Sequence, residues 1–302
     1  LRQMQLQNRI VMAPMEQYTA QNGLVSDWHL VHYGSRATGG VGLILTETVA
    51  VSEEGRITLG CPLISSQKQK DSWKRITDFV HQNSKSKIGI QLGHSGRRGA
   101  VKRPWEGHDQ PIETPWKLLA PSPLSYNDKM PAPKEMDRQD MENVISQFRQ
   151  AAKNAEQAGF DMIELQANHG YLLASFLSPL TNNRKDEYGG SVSNRLKFPL
   201  EVFRAVRESF DSDRPISVRI SASDWAENGV TQEDVLEIAK AFQQAGADCI
   251  DVSSGYTVNY QKPAYGRMYQ TPFSDAIRNS IGVPVITAGT IQDIDQINTI
   301  IL

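Results

Sequence analysis

Gln166, His169 and Tyr171 stand within the stretch Gln166-Ala167-Asn168-His169-Gly170-Tyr171, directly after the apolar-alternating run Phe160-Asp161-Met162-Ile163-Glu164-Leu165. A phenol can give a proton, while an imidazole and a primary amide can hold an oxygen that turns negative. These groups suit a reaction that protonates one atom while steadying charge on another. A helix-forming stretch opens at Leu172, so the cluster lies at a strand-to-helix junction. In a barrel of alternating strands and helices, the carboxyl ends of the strands carry the active site.

Elements able to position such a cluster recur along the chain. Short β-branched runs occupy Arg9–Met12, Val41–Glu47, Lys87–Leu92, Met162–Gln166, Ile216–Ile220, Cys249–Ser253 and Pro284–Ala288. Most are nearly continuous in hydrophobicity, as parallel strands covered on both faces are. Amphipathic patterns fall between them at Trp28–Thr38, Gln67–Asn83, Arg138–Gly159, Arg195–Phe210, Thr231–Gly246, Pro272–Ser280 and Ile291–Ile301. The stripe Val235, Ile238, Ala239, Phe242 is helical in period, and Gly246 follows where a helix should stop. Seven alternations predict an α/β fold, a (β/α)8 TIM barrel truncated before its eighth strand–helix unit. An open sheet complete as given is the alternative. Residues 1–302 read as one domain, with two long loops, 93–137 and 171–194, on the active face of the barrel.

Composition narrows the class. The 302 residues carry a net charge of −2 and are 39% hydrophobic, enough for a large core without staples. Near-neutral charge argues against a general nucleic-acid binder. Cys61 and Cys249 stand far apart in no metal-like spacing, so a reducing cytoplasm is the default reading. No apolar run approaches the roughly 20 residues of a membrane helix. His29 and His32 stand three apart on the first helix without an evident third ligand, so no metal is expected. His94, after the third strand, reads equally as a loop histidine or a functional one.

Several further motifs agree in order and spacing. Asn8-Arg9-Ile10-Val11-Met12-Ala13-Pro14-Met15 opens the first strand, and Gln91-Leu92-Gly93-His94-Ser95-Gly96-Arg97 closes the third. His169-Gly170-Tyr171-Leu172-Leu173 precedes Phe176-Leu177-Ser178-Pro179-Leu180-Thr181-Asn182-Asn183-Arg184, and Val218-Arg219-Ile220-Ser221-Ala222 ends the fifth. With Asp186-Glu187-Tyr188-Gly189-Gly190-Ser191 and Asn194-Arg195, these resemble the old yellow enzyme family of FMN-dependent ene-reductases over essentially the whole chain. The segments Lys102-Arg103-Pro104-Trp105-Glu106-Gly107, Leu119-Ala120-Pro121-Ser122-Pro123-Leu124 and Tyr265-Gly266-Arg267-Met268-Tyr269-Gln270-Thr271-Pro272-Phe273 are similar to one branch. That branch is the reductase half of anthraniloyl-CoA monooxygenase and salicyloyl-CoA 5-hydroxylase proteins, where an FAD-dependent hydroxylase precedes the FMN barrel.

The resemblance implies an FMN-dependent oxidoreductase, reduced by NADH or NADPH, that saturates an activated C=C bond of a conjugated carbonyl compound. A dearomatised aromatic acyl-CoA intermediate is the substrate implied by the branch, with an upstream FAD hydroxylase domain fused to the chain. A free-standing enone or xenobiotic reductase, or a non-catalytic flavin-binding module, are the alternatives. Relatives form homo-oligomers, and the same is expected here. No GxGxxG follows a strand, so the nicotinamide is expected over the flavin rather than in a Rossmann site.

Residue by residue, the resemblance implies that Ala13, Pro14 and Met15 pack along the flavin edge and Gln91 bonds the pyrimidine ring. Arg219 would face the side of the ring that becomes anionic, and Thr48 a flavin carbonyl. Gly289 and Thr290 would supply the seventh-strand half of the phosphate site. Tyr171 would donate the proton, with His169 and Gln166 holding the carbonyl oxygen. Two departures matter. Gln166 stands where the family has histidine, and Glu16 where better-known branches have cysteine or threonine. Tyr18 is expected in the substrate pocket. Arg97, Arg98 and Arg103, with Lys102 and Trp105, form either a solvated basic loop or a cradle for the phosphates of a CoA thioester.

Overall fold

The computed structural model describes residues 1–302. Seven parallel strands form one sheet: β1 (Val11–Met12), β2 (Leu43–Ala50), β3 (Lys87–Gly93), β6 (Met162–Ala167), β7 (Ile216–Ser221), β8 (Cys249–Ser253) and β9 (Val285–Thr287). Their order is β1-β2-β3-β6-β7-β8-β9, with β1 and β9 as the edges. Two short strands, β4 (Leu119–Ala120) and β5 (Lys134–Glu135), pair separately inside the long loop after β3. That loop also holds a 3-10 turn, Gly96–Arg98, and a one-turn helix, α3 (Pro104–Gly107).

Helices connect the strands: α1 (Asp27–Thr38), α2 (Gln67–Asn83), α4 (Arg138–Gln157), α6 (Val192–Arg207), α7 (Gln232–Ala245), α8 (Thr271–Ile281) and α9 (Ile294–Ile301). An additional helix, α5 (Leu172–Leu177), starts the loop after β6, and all six of its residues are buried. The ends follow cap chemistry. In α7 the Thr231 hydroxyl accepts from the Asp234 N–H at 3.1 Å, and Gly246 closes the helix at φ 107.

The strands alternate more sharply than their composition predicts. Ile163 and Leu165, Val218 and Ile220, and Ile250 and Val252 point outward into a core of 51 buried residues beneath the helices. The intervening positions point into the barrel and grade from apolar to polar. Leu43, Leu45 and Met162 plug its amino end in a separate cluster. Above them, Gln91 pairs in register with Glu164, Glu164 with Ser217, and Arg219 with Asp251. A period of two places these polar side chains in the interior with no break in the strands. The expectation of nearly continuous apolar strands therefore fails at the upper layers of the barrel.

Other boundaries moved for local reasons. β2 runs to Ala50, past the expected Glu47, because a register shift between Leu45 and Thr48 absorbs Thr46 and Glu47 without ending the ladder. α6 opens at Val192, before the expected Arg195, because the Ser191 hydroxyl accepts from the Asn194 N–H.

Candidate functional site

The carboxyl ends of β1, β2, β3, β6, β7 and β8 converge on one mouth. At the end of β6 the chain turns sharply, with His169 at φ 57. Both sides of that residue are anchored: its N–H donates to Ser221 Oγ at 2.9 Å and its carbonyl accepts from Arg98 Nη1 at 2.7 Å. The ring shares a hydrogen bond through Nε2 with Ser253 Oγ at 2.6 Å. Burial, reinforced by the nearby Arg219 and Arg98 cations, holds the imidazole far below its ordinary range, so it is neutral at neutral pH.

Tyr171 is the N-cap residue of α5, only 8% exposed, with its ring centroid 6.5 Å from that of His169. No protein group bonds its hydroxyl. Burial raises the phenol well above its ordinary range, so it stays protonated. Tyr18 is held at φ 52, and its phenol is raised chiefly by burial and then by the neighbouring Tyr171. It packs on Trp105 with centroids 6.3 Å apart.

Gln166 does not serve as a free oxygen clamp. Its Nε2 donates to Thr48 Oγ1 at 2.6 Å and to Gln91 Oε1 at 3.2 Å, committing both amide hydrogens. Its Oε1 is sealed without a partner against Gly93, where a Cβ would collide with it and with the Thr48 methyl. An expected donor to substrate is thus a strut inside the barrel. The strut continues: Thr48 Oγ1 donates to Gln91 Oε1 at 2.7 Å, and Gln91 Nε2 to Glu164 Oε1 at 2.9 Å. One amide hydrogen of Gln91 is left over.

Glu16 accepts from the Thr48 N–H at 3.0 Å through Oε1, while its buried Oε2 has no partner. Burial, with the neighbouring Glu47, pushes its carboxyl from 4.5 up to about 8, so the neutral acid dominates at neutral pH. Arg219 Nε lies 3.3 Å from Asp251 Oδ2 beneath the mouth. Glu164 and Asp251 are 0% and 1% exposed and share this single cation; burial raises both carboxyls, and the charge of Asp251 raises Glu164 further. Sequence reading missed this pair. Its signal was one acid in the middle of each strand, at the inward position.

The basic loop is not the surface cradle considered from sequence. Arg97 is 3% exposed and donates to the carbonyls of Leu124 and Ser125, both at 3.1 Å, and to that of Thr257. Arg98 is spent on the carbonyls of His169 and Tyr256 and lies over the rings of Tyr126 and Tyr171. Paying the desolvation of a guanidinium requires such partners, which leaves neither arginine free for phosphate. Lys102 and Arg103 stay partly exposed, with Arg103 ion-paired to Glu106 at 3.6 Å. His94 is structural: buried, held down at about 4 by desolvation, with Nδ1 accepting from the Gly96 N–H at 3.0 Å. His29 Nδ1 accepts from the Ser26 N–H at 3.0 Å and its Nε2 faces Glu47, and both are packing roles.

Polar atoms without partners gather at this mouth. They include Glu16 Oε2, Ser254 Oγ, both amide atoms of Asn168 and Gln270 Oε1. Buried groups left unpaired are costly, and their convergence fits a polar ring system and its phosphate tail. After β9, Gly289 sits at φ 103, where a Cβ would meet Gln270 Nε2 and Tyr269 at 2.8 Å. Only glycine lets the backbone pass there. Thr290 follows it, exposed, at φ 55. Ala13 and Pro14 are half-buried at the end of β1, and Met15 is 47% exposed. Asn168, Ser254 and Gln270 escaped the sequence reading, although Asn168 lies within the first motif.

The model of the NADH:flavin oxidoreductase / NADH oxidase family matches residues 1–302. NADPH dehydrogenase of Listeria welshimeri is 39% identical over 303 residues, covering 100% of this chain and 85% of the relative. NADPH dehydrogenase of Geobacillus sp. (strain WCH70) is 41% identical over 293 residues, covering 96% of this chain and 81% of the relative. Among solved structures, morphinone reductase superposes with a TM-score of 0.79 at 26% identity, covering 97% of this chain and 79% of that one. A 2-naphthoyl-CoA reductase complex superposes with a TM-score of 0.86 at 24% identity over 97% of this chain, which spans 46% of that protein, a likeness of fold alone. The chain belongs to the NADH:flavin oxidoreductase / NADH oxidase family and is an FMN-dependent NAD(P)H oxidoreductase of the old yellow enzyme type.

Proposed function

We propose that this mouth reduces the electron-poor C=C bond of small conjugated carbonyl compounds. The observation that carries the reading is the Tyr171 hydroxyl: buried, protonated and unbonded by any protein group, beside a neutral His169. When bound, FMN supplies the two-electron store that accepts hydride from NAD(P)H and passes it on. Ala13, Pro14, Met15, Glu16, Thr48, Gln91 and Arg219 would hold its ring, and Gly289 and Thr290 its phosphate. Gln91 keeps one amide hydrogen for that task because Glu164 takes the other.

The protein's own part in the reaction is positional and acid–base. His169 faces the substrate oxygen as a neutral imidazole, oriented by Ser253, so it polarises the carbonyl by hydrogen bonding rather than by full charge. Tyr171 gives its proton to the alkene carbon that does not receive hydride. Tyr18 and Trp105 form the outer wall.

Substrate size follows from the loop. With Arg97 and Arg98 withdrawn, a CoA thioester would meet only Lys102, Arg103 and the 65%-exposed Trp105. A small enone is the better fit. The test separates the two half-reactions with NADPH and 2-cyclohexenone. Tyr171→Phe should slow alkene reduction by about 100-fold or more, the usual worth of a general acid, while NADPH still bleaches the flavin. Alkene reduction at the wild-type rate would end the reading.

A further inference from the structure

Arg98 was expected at the surface, yet its guanidinium is enclosed by aromatic rings. It stands 4.3 Å from the ring centroid of Tyr126 and 5.1 Å from that of Tyr171. Two carbonyls fix it there, those of His169 at 2.7 Å and Tyr256 at 3.2 Å. Its side chain is 10% exposed, and the one acid beside it, Asp109, keeps 3.7 Å away. A buried cation whose single carboxylate partner, Asp109, does not hydrogen-bond to it has charge to spare. The Nε hydrogen has no acceptor at all.

We infer that Arg98 is a positioning residue for proton donation, stabilising the phenolate that Tyr171 becomes. The inference rests on the reading of Tyr171 as the donor. In that step the Tyr171 O–H bond breaks and a C–H bond forms on the substrate carbon. The electron pair stays on the phenolate oxygen, and a solvent proton later restores the phenol. Before the transfer Arg98 meets only the quadrupole of a neutral ring; after it, a full negative charge in a sealed setting where Coulomb attraction is strong. The interaction therefore strengthens as the reaction proceeds, which is the condition for lowering a barrier rather than tightening binding.

Every other group facing the phenol works against ionisation or is neutral. Glu16, Cys61 and Asp109 raise Tyr171, and Arg98 is the cation that lowers it. Tyr18 and His169 are uncharged at neutral pH. Burial alone would make Tyr171 too weak an acid to give up its proton quickly, and Arg98 offsets that.

The test uses the FMN-loaded protein, NADPH and 2-cyclohexenone, following each half-reaction by flavin absorbance. Arg98→Met keeps the length of the side chain and removes its charge. It should slow the alkene half-reaction about tenfold more than the NADPH half-reaction. Placing 3-fluorotyrosine, a stronger acid, at position 171 should restore at least part of that loss, which repair of a packing defect would not do. Asp109→Asn, which removes the competing anion, should speed the alkene step. Equal slowing of both half-reactions, no recovery with the fluorinated phenol, or a slower Asp109→Asn would overturn the inference. A Tyr171→Phe variant that reduces the alkene normally would instead overturn the donor assignment. A slow Tyr171→Phe beside a normal Arg98→Met would remove Arg98 alone.

Discussion

Glu16 shows how burial redirects a residue that sequence leaves ambiguous. Read as a carboxylate it would oppose negative charge on a bound ring; read as an acid it would donate a hydrogen bond. Its surroundings favour the acid, with the carboxyl pushed up to about 8. The folded protein then binds a proton that the unfolded chain releases near 4.5, so this group's contribution to stability falls as pH rises from there through 8. Glu16→Gln should accordingly gain melting temperature over the wild type at pH 9 and little at pH 5. The same variant should lose the fall in FMN midpoint potential that ionised Glu16 causes above its pKa. Identical pH dependence in both proteins would show that Glu16 does not titrate there. Tyr171 and His169 were legible as a strand-end pair, and their rings stand 6.5 Å apart. Gln166 was not, since only the structure shows that Thr48 and Gln91 consume its amide. Arg97 and Arg98 read as a basic surface, because a one-dimensional charge cluster carries no sign of the carbonyls and rings that enclose it.

At the scale of elements, the strands were found where β-branched runs predicted them, and their ends were the weak point. The bulge in β2 is set by pairing with β3, not by local composition, so Thr48 reached the site by a route the sequence does not print. The helix expected from Leu172 onward is α5, which stops at Leu177 after six residues. What holds that region is Arg195 at the start of α6. Its guanidinium donates to the carbonyls of Leu177 and Gly190, both at 2.6 Å, and to Asp234 Oδ2 of α7 at 2.9 Å. It ties the carboxyl end of α5, which Tyr171 caps at its other end, to the following loop and α7. Breaking a buried pair leaves its partner's charge unpaid, so Arg195→Met should cost about 3 kcal/mol in chemical denaturation. It should also raise the KM for enone through a looser Tyr171 turn. A variant as stable as the wild type would show the tie to be incidental.

For the whole molecule, seven parallel strands and their covering helices carry one idea: polarity increases along the barrel axis, from the Met162 plug to the Glu164, Asp251 and Arg219 layer and then the mouth. The outward aliphatics supply the core and leave the inward positions free for chemistry. No helix is long and apolar enough to cross a membrane. The most direct measurement is a turnover of 2-cyclohexenone by the FMN-loaded protein with unlabelled NADPH in D2O, analysed by NMR. The Tyr171 hydroxyl exchanges with solvent, so the product should carry a solvent deuterium at the carbon beside the carbonyl. A product with no solvent deuterium at that carbon, or no product from a protein whose flavin bleaches, would contradict the account.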